Sequence, residues 1–475
     1  MTGAELSART RTAASPWAGR SAVVMGLGSF GGGLGAARWL LAQGARVTVT
    51  DLRDASRLGD GLAALEDHGG ADLRLALGGH AREDFEGADL VVANPAVPPG
   101  HPLLAAARAA GARVALEIEL LLEHLPAPAL AVTGTHGKSS TCRMLADLLA
   151  AGGRRVHLGG NIGGSLLGEL AAMRPDDLVV LELSSYQLEC LPPRADARGE
   201  GTRPAAAVAI TNLAADHLER HGTLAAYHAA KLRLLELARE GGAAFLPAHL
   251  AGGDAARAAA ARGVRVVATG ASGADGLRLE DGVFLLGERE LGRAADLPLH
   301  GRFQEENALL ALGLAHLAGV PAGRLGPALA GVTVPEHRLQ DLGLAGGRRI
   351  WDNGVATTPE STLAALRSVE GPCVLLCGGR AKRDLAWDDL AAEAFRRGAA
   401  VVCFGESGPE VARALGAGGV RTRTVPALAE AVDAAFEEAR GGEAILFSPG
   451  CASFDAWSNF RERALAFRAA VEARR

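Results

Sequence analysis

Twice near its start the chain runs an apolar segment of strand length into a glycine-rich turn and then into a helical pattern. In residues 21–51, "SAVVMGLGSFGGGLGAARWLLAQGARVTVTD", a strand, a glycine turn, a helix and a second strand ending in an acid make one βαβ unit. Residues 129–140, "ALAVTGTHGKSS", repeat the theme with a strand, a loop and a helix predicted from Ser139. Strands that alternate with helices in this way predict a largely parallel sheet covered by helices, an α/β fold.

The rest of the chain continues the pattern. "DLVVANPAV" at 89–97 is a further apolar strand, and "VALEIELLLEHLPAP" leads through prolines to the second loop, so a boundary is placed near residue 125. "DLVVLELSSYQLE" (177–189) and "AAAVAITNLAADHLERHG" (205–222) follow, then a stretch poorer in signals from about 242 to 299, then a helix from near Glu305. Pro335 opens a third region in which "CVLLCGG", "AVVCFG" and "AILFSPG" are apolar strands ending in glycine, where an open α/β sheet collects its ligands. With 475 residues and roughly 100–200 residues per domain, three domains are expected, at 1–124, 125–334 and 335–475. The first and third read as Rossmann-like, and the middle one as a P-loop-type ATPase sheet.

Bulk properties exclude several classes of function. A net charge of -5 and a pI of about 6.3 give no electrostatic reason for a nucleic-acid or membrane partner. Six scattered cysteines without CxxC spacing fit free thiols in a reducing compartment, with Cys373 and Cys377 in the core. No apolar run reaches the roughly 18 residues that span a bilayer, and the start of the chain lacks a signal-peptide core. A cytoplasmic protein is expected.

The first turn, Gly26-Leu-Gly28-Ser29-Phe-Gly31, fits G-x-G-x-x-G, and Asp51 stands at the end of the next strand. Taken alone this fits a NAD-dependent dehydrogenase, but any nucleotide diphosphate would satisfy such a backbone. The second loop lacks the first glycine of the usual G-x-x-x-x-G-K-[ST] pattern, since Val132 stands there. Its amides from Gly134 through Thr135 and Gly137 to Ser140 nevertheless open a helix, where ATP phosphates bind, with Lys138 to neutralise charge and Ser139 as the natural Mg²⁺ ligand. Two such loops imply two nucleotide-like ligands.

Lysine usage sharpens the picture. Only Lys138, Lys231 and Lys382 occur among 49 basic residues. A lysine that survives such an arginine bias suggests chemistry that a guanidinium cannot do, although an ordinary exposed lysine is the alternative at Lys231. Glu182 closes one strand beside the loop and His217 follows another, both are candidate Mg²⁺ ligands, and Asp216 is placed to orient His217.

"TGTHGKSS", "GGNIGGSLL" (159–167), "LELSSYQLE" (181–189), "ITNLAADHLERHG…YHAAK", "EHRLQ" (336–340) and "SPGCASFDAWSNF" (448–460) together resemble the Mur ligases, and within them the MurD type. The resemblance runs from about residue 21 to the C-terminus. It implies an ATP-dependent amide ligase that adds glutamate to UDP-N-acetylmuramoyl-L-alanine through an acyl phosphate, in peptidoglycan precursor synthesis. It also implies that Lys138 binds ATP phosphates, that Ser139 and Glu182 hold one Mg²⁺, and that His217 helps hold a second. Lys231 matches a lysine carbamylated in the family, and arginine cannot form that carbamate. By the same resemblance Asn307 and Arg338 contact ATP, Asn161, Ser184 and Gln187 face the substrate, and Gly28, Ser29 and Asp51 hold the UDP part. Thr357, Lys382, Ser453 and Phe460 match positions that contact glutamate. A monomer is expected.

The third region departs from the family pattern. The usual N-D-S-K-A-T-N is "DNGVATT" (352–358), with Val355 in place of a lysine and the acid and amide exchanged at Asp352 and Asn353. "ATTPEST" resembles the branch that adds L-glutamate, whose product a separate epimerase converts, and the expectation leans to L-glutamate over D-glutamate. A folylpolyglutamate synthase-like ligase shares the loop but does not need the first βαβ unit. A degenerate, non-catalytic ligase draws support from the changes at 352–358.

Overall fold

A computed structural model describes residues 15–28, 31–58, 62, 65, 72–192, 205–270, 276–333, 336–381 and 385–475. Ser29 and Lys382 lie outside the described residues. Among the described residues the strands form three sheets.

The first sheet holds β1 (Ser21–Met25), β2 (Arg46–Asp51), β3 (Leu73–Leu77), β4 (Leu90–Ala93) and β5 (Arg113–Ala115) in the order β3-β2-β1-β4-β5. All its pairings are parallel. Strand order reverses beside β1, so the turn after Met25 opens into the crevice where such sheets bind ligands. The helix Gly32–Ala42 begins there, with Gly31 as its N-cap at φ 79°. Close packing of this helix on the turn depends on a glycine outside the G-x-G-x-x-G match. It is Gly33, where an added Cβ would lie 2.3 Å from the Gly26 carbonyl oxygen and 2.7 Å from Leu27 Cα.

The second sheet contains β6 (Ala129–Thr133), β7 (Val156–Gly160), β8 (Leu178–Glu182), β9 (Ala205–Ile210), β10 (Ala238–Pro247) and β11 (Arg265–Thr269), ordered β11-β10-β9-β6-β8-β7. These pairings too are parallel. Here β6 is the central strand, flanked by β8 and β9, so whatever follows Thr133 sits between the ends of three strands. Short strands β12 (Leu277–Glu280), β13 (Val283–Leu286) and β14 (Arg289–Arg293) come next in the chain, then the helix Arg302–Leu317.

The third sheet is built from β15 (Gln340–Ala345), β16 (Arg348–Asp352), β17 (Cys373–Gly378), β18 (Ala400–Phe404), β19 (Thr422–Thr424) and β20 (Ala444–Gly450). Its order is β15-β16-β20-β17-β18-β19, and β15 is its one antiparallel strand. Alternate residues of these strands enter different cores. Leu375, Cys377, Val401 and Leu446 join one, while Val374, Leu376, Val402 and Ile445 join the other. Burial on both faces is why the sequence shows continuous apolar runs here and no alternation.

The described chain makes two compact units. One comprises residues up to 278 with 285–289 and 310–321; the other comprises 279–284, 290–309 and 322–475. The first two sheets share the first unit because one apolar core runs through both. Val24, Leu40 and Val49 belong to it together with Ala131, Val179 and Val208. The helix Glu117–His124 contributes Ile118, Leu120, Leu121 and Leu122 to that core and packs on both the helix Gly32–Ala42 and the turn Leu167–Ala172. Its first-turn carboxylates Glu117 and Glu119 are buried with the leucines. Among the described residues no helix is long and apolar enough to cross a membrane.

Gly33→Ala is expected to lower stability by about 1–3 kcal/mol, because the new methyl group meets backbone atoms that cannot move aside. Urea unfolding followed by far-UV circular dichroism checks this, and an unchanged midpoint would show that the helix shifts freely on the turn.

Candidate active site

Val132 explains itself once β6 is in place. It is fully buried within the strand and registers against Glu182 of β8, so the position where other NTPase loops carry glycine is here a core position. The loop proper starts at Gly134, φ 151°, where a Cβ would lie 1.8 Å from Thr211 Oγ1. Thr211 and Asn212, just past β9, stitch the loop in place. The Thr211 hydroxyl donates to the His136 carbonyl (2.5 Å), and the His136 amide donates to Asn212 Oδ1 (2.9 Å). Gly137 then caps the helix Lys138–Ala151 with φ 82°, leaving the first-turn amides of Lys138, Ser139 and Ser140 without intrahelical acceptors.

Both lysines of this region converge on one backbone oxygen. Lys138 Nζ donates to the carbonyls of Gly134 and Thr135, each at 2.9 Å. Lys231, on the helix Leu224–Leu232, donates from Nζ to the same Gly134 carbonyl at 2.7 Å. Lys231 is 1% exposed, which removes the alternative of an ordinary surface lysine. Burial, seconded by the charge of Lys138, pushes its pKa down to about 6, against the opposing pull of Asp216 and Glu182. At neutral pH it is an uncharged amine.

Glu182 ends β8 and is 1% exposed. Its Oε1 accepts from Asn161 Nδ2 at 2.9 Å, whereas Oε2 is buried with no hydrogen-bond partner. A carboxylate oxygen sealed from water without a donor is unfavourable unless a cation meets it. Among the described residues no three His, Cys, Asp or Glu side chains cluster as a metal site. A Mg²⁺ at Glu182 would therefore draw on hydroxyl and phosphate oxygens for its remaining ligands, and Ser139, on the first turn of the loop helix, offers the hydroxyl.

His217 adopts a left-handed backbone, φ 53°, at the start of the turn Leu218–His221. Its ring Nδ1 lies 3.4 Å from the Tyr186 hydroxyl and 3.3 Å from Glu219 Oε1, and its Nε2 lies 3.5 Å from Asp216 Oδ2. Tyr227 donates its hydroxyl to Thr135 Oγ1 at 3.3 Å, and burial raises its pKa.

A cavity of about 630 Å³ joins the two glycine loops. Gly28 and Asp51 line it at one end, and Thr135, Lys138, His217 and Lys231 at the other, with Asn161, Ser184 and Gln187 also on its wall. Burial works to raise the Asp51 pKa, but hydrogen bonds from Arg53 and the Leu27 amide outweigh it and hold the carboxylate below its usual range. Ser184 and Gln187 also cap the helix Ser185–Cys190: the Gln187 amide donates to Ser184 Oγ (3.2 Å), and the Ser184 amide donates to Gln187 Oε1 (2.9 Å). Sequence reasoning passed over Tyr186 and Tyr227, which line the same cavity. The signal was available, since these are the only two tyrosines in the chain.

The remaining expected residues belong to the second unit. Asn307 is buried and donates to Gln304 Oε1 at 3.2 Å. Arg338 stands between His337 and Leu339, two non-glycine residues at φ 62° and 49°, a conformation that needs outside support. Asp352 and Asn353 supply it. Asp352 Oδ2 lies 2.7 Å from His337 Nδ1 and accepts from Arg468 Nε at 2.7 Å, while Asn353 Oδ1 accepts from the Leu339 amide at 3.1 Å. The exchanged acid and amide thus hold the two neighbours of Arg338. Thr357 is half-buried, Ser453 is 2% exposed and Phe460 is 39% exposed.

Two family models match the chain: the MurD-like N-terminal domain of Mur ligases over residues 20–115, and the Mur ligase middle domain over residues 132–315. The UDP-N-acetylmuramoylalanine--D-glutamate ligase of Roseiflexus sp. (strain RS-1) is 36% identical over 491 residues, covering 96% of this chain and 99% of that one. The chain belongs to the Mur ligase family, in its MurD-like group. The ligase of the same name from Frankia casuarinae is 38% identical, covering 98% of this chain and 96% of its own. The crystal structure of UDP-N-acetylmuramate-alanine ligase MurC from Thermotoga maritima shares the fold, with a TM-score of 0.57 at 17% identity over 96% of this chain and 100% of that one. Mur ligases are ATP-dependent amide ligases, and this chain is one of them.

The buried amine of this Mur ligase has a measurable consequence. Between its pKa of about 6 and the ordinary 10.5, the unfolded chain binds a proton that the folded chain does not. Stability therefore rises with pH through that window, by up to about 1.4 kcal/mol per unit. In CO₂-free buffer from pH 6 to 8, urea unfolding of the wild type should gain stability relative to Lys231→Met. Parallel pH profiles would mean that Lys231 keeps its charge when folded.

Proposed function

We propose that this Mur ligase joins glutamate to UDP-N-acetylmuramoyl-L-alanine at the expense of ATP, in the cytoplasmic synthesis of peptidoglycan precursors. The observation that carries the reading is the single cavity of about 630 Å³ running from Gly28 and Asp51 to Lys138 and Lys231. A nucleotide-linked substrate seated at the first end presents its far carboxylate to the phosphates at the second. The division of labour is 1–124 for the UDP part, 125–334 for ATP and 335–475 for glutamate, in a chain that acts as a monomer.

In this reading the substrate carboxylate attacks the γ-phosphoryl group of ATP and releases ADP. The glutamate amine then displaces phosphate from the acyl phosphate through a tetrahedral intermediate. The first-turn amides, Gly134 to Ser140, and Lys138 hold the phosphates in line and neutralise the charge that develops on them. Asn307 and Arg338 hold the rest of ATP, and Thr357, Lys382, Ser453 and Phe460 hold glutamate. Bound Mg²⁺ supplies charge neutralisation, and the partnerless Oε2 of Glu182 fits it, with Ser139 as co-ligand and His217 beside a second ion. The Lys231 amine, neutral above about pH 6, is suited to take up CO₂, forming a carbamate and releasing one proton. That product is a carboxylate for the second ion.

The glutamate is read as the L-enantiomer, on the strength of "ATTPEST" and of Val355 where the family carries lysine. Its product then requires an epimerase. The second reading, D-glutamate, is favoured by the printed names of the relatives.

The test is phosphate release from ATP and Mg²⁺ with UDP-N-acetylmuramoyl-L-alanine and either D- or L-glutamate, with products verified by mass. Product with L-glutamate alone is the expected outcome; product with D-glutamate alone overturns the chirality, and none with either overturns the function. Lys231→Arg should lose turnover by about 10²-fold or more while still binding the UDP-substrate. In ¹³C-bicarbonate the wild type should show a carbamate resonance that fades below about pH 6 and is missing from the variant.

A further inference from the structure

We propose that Arg463 is the positioning residue of the amino-acid pocket, a single guanidinium that fixes the strand-end segments on which the glutamate contacts Thr357 and Ser453 stand. It lies on the helix Phe460–Glu472 and is fully buried. Nη1 donates to the carbonyls of Cys451 (2.9 Å), Ala452 (3.1 Å) and Gly378 (3.4 Å). Nη2 donates to those of Gly354 (3.3 Å) and Ala356 (3.4 Å). These oxygens belong to the segments leaving β16, β17 and β20, whose C-terminal ends form the crevice of the third sheet.

Of the glutamate-side positions, two follow an anchor directly and a third lies on the helix of Arg463. Thr357 follows Ala356, Ser453 follows Ala452, and Phe460 precedes Arg463 by three residues, on the same helix face. The segments from β17 and β20 are also bound to each other, through amide–carbonyl pairs between Arg380 and Ala452, both at 2.9 Å. The backbone leaves room for the fork: at Gly379 a Cβ would lie 2.8 Å from Arg463 Nη1.

Stability alone does not account for such a group. Its hydrogen-bond partners among the described residues are carbonyl oxygens, and its Nε is buried without any partner. Burial lowers its pKa to about 10, against weaker pulls from Cys451 and Asp455, so it remains a cation. A buried cation without a carboxylate partner is generally less stabilising than a well-packed apolar side chain. What the guanidinium adds is geometry, because its planar set of donors reaches several separate carbonyls at fixed angles. Lysine, with one rotating ammonium, does not.

The proposal rests on the glutamate-ligase reading above. Its test is steady-state kinetics of the full chain carrying Arg463→Lys or Arg463→Gln, each substrate varied in turn, with thermal unfolding alongside. The expected result is a KM for glutamate raised about tenfold or more, with KM for ATP and for the UDP-substrate within about twofold of wild type. An unchanged glutamate KM, or an equal loss for all three substrates, overturns the proposal. Loss of folded structure in both variants also overturns it, by assigning Arg463 to stability alone. Wild-type protein that makes no product with either glutamate overturns the ligase reading itself, an outcome seen before any variant is compared.

Discussion

The carbonyl oxygen of Gly134 accepts from two lysines, Lys138 at 2.9 Å and Lys231 at 2.7 Å, and much of the site follows from that. Burial disfavours the charged form of Lys231, and the nearby charge of Lys138 disfavours it further. The deeper one, Lys231, gives up its proton, and an amine with a free lone pair results. The convergence depends in turn on Gly134 having no side chain, since Thr211 Oγ1 occupies the space a Cβ would need. Thr211 is there because β9 pairs in register beside β6. Strand register, loop shape and lysine chemistry are successive links of one chain of cause.

Polar contacts join the elements around the first two sheets beside the cavity. The Ser165 hydroxyl donates to Glu117 Oε1 at 2.5 Å, and burial lifts the Glu117 pKa to about 7 although that hydrogen bond opposes it. Arg220 reaches the carbonyls of Pro95, Ala96 and Val97 at 3.4, 3.0 and 3.4 Å while its Nε donates to Glu189 at 3.0 Å. One arginine thereby ties the loop after β4 to the segment that carries His217. Such a seam explains why two sheets with separate nucleotide-type turns form one compact unit around one apolar core.

In the second unit the work of the altered motif is done by neighbours. Val355 brings no charge, yet the segment around it is fixed at both ends, by Asp352 on His337 and Arg468 and by Arg463 on Gly354 and Ala356. Exchange of the acid and the amide at 352 and 353 leaves a fully bonded turn. The change that looked most damaging in the sequence is met by near partners, His337 and Leu339, and by two more than 80 residues away, Ser448 and Arg468.

By itself the sequence determined what is local. An apolar strand, a glycine that must adopt an unusual backbone and a helix start are dictated by neighbours in the chain, so the loop at 134–140, the βαβ unit at 21–51 and the parallel α/β class were legible. Scarcity marked Lys138 and Lys231, and would have marked Tyr186 and Tyr227. Tertiary structure alone decided that Gly33, outside the glycine motif, takes the close helix packing. It also decided that Val132 is core, that Ser184 and Gln187 spend hydrogen bonds on each other, and that Lys231 is uncharged. The physical reason is that desolvation, hydrogen-bond partners and charge pairing depend on which strands lie side by side, and spacing along one chain does not carry that information.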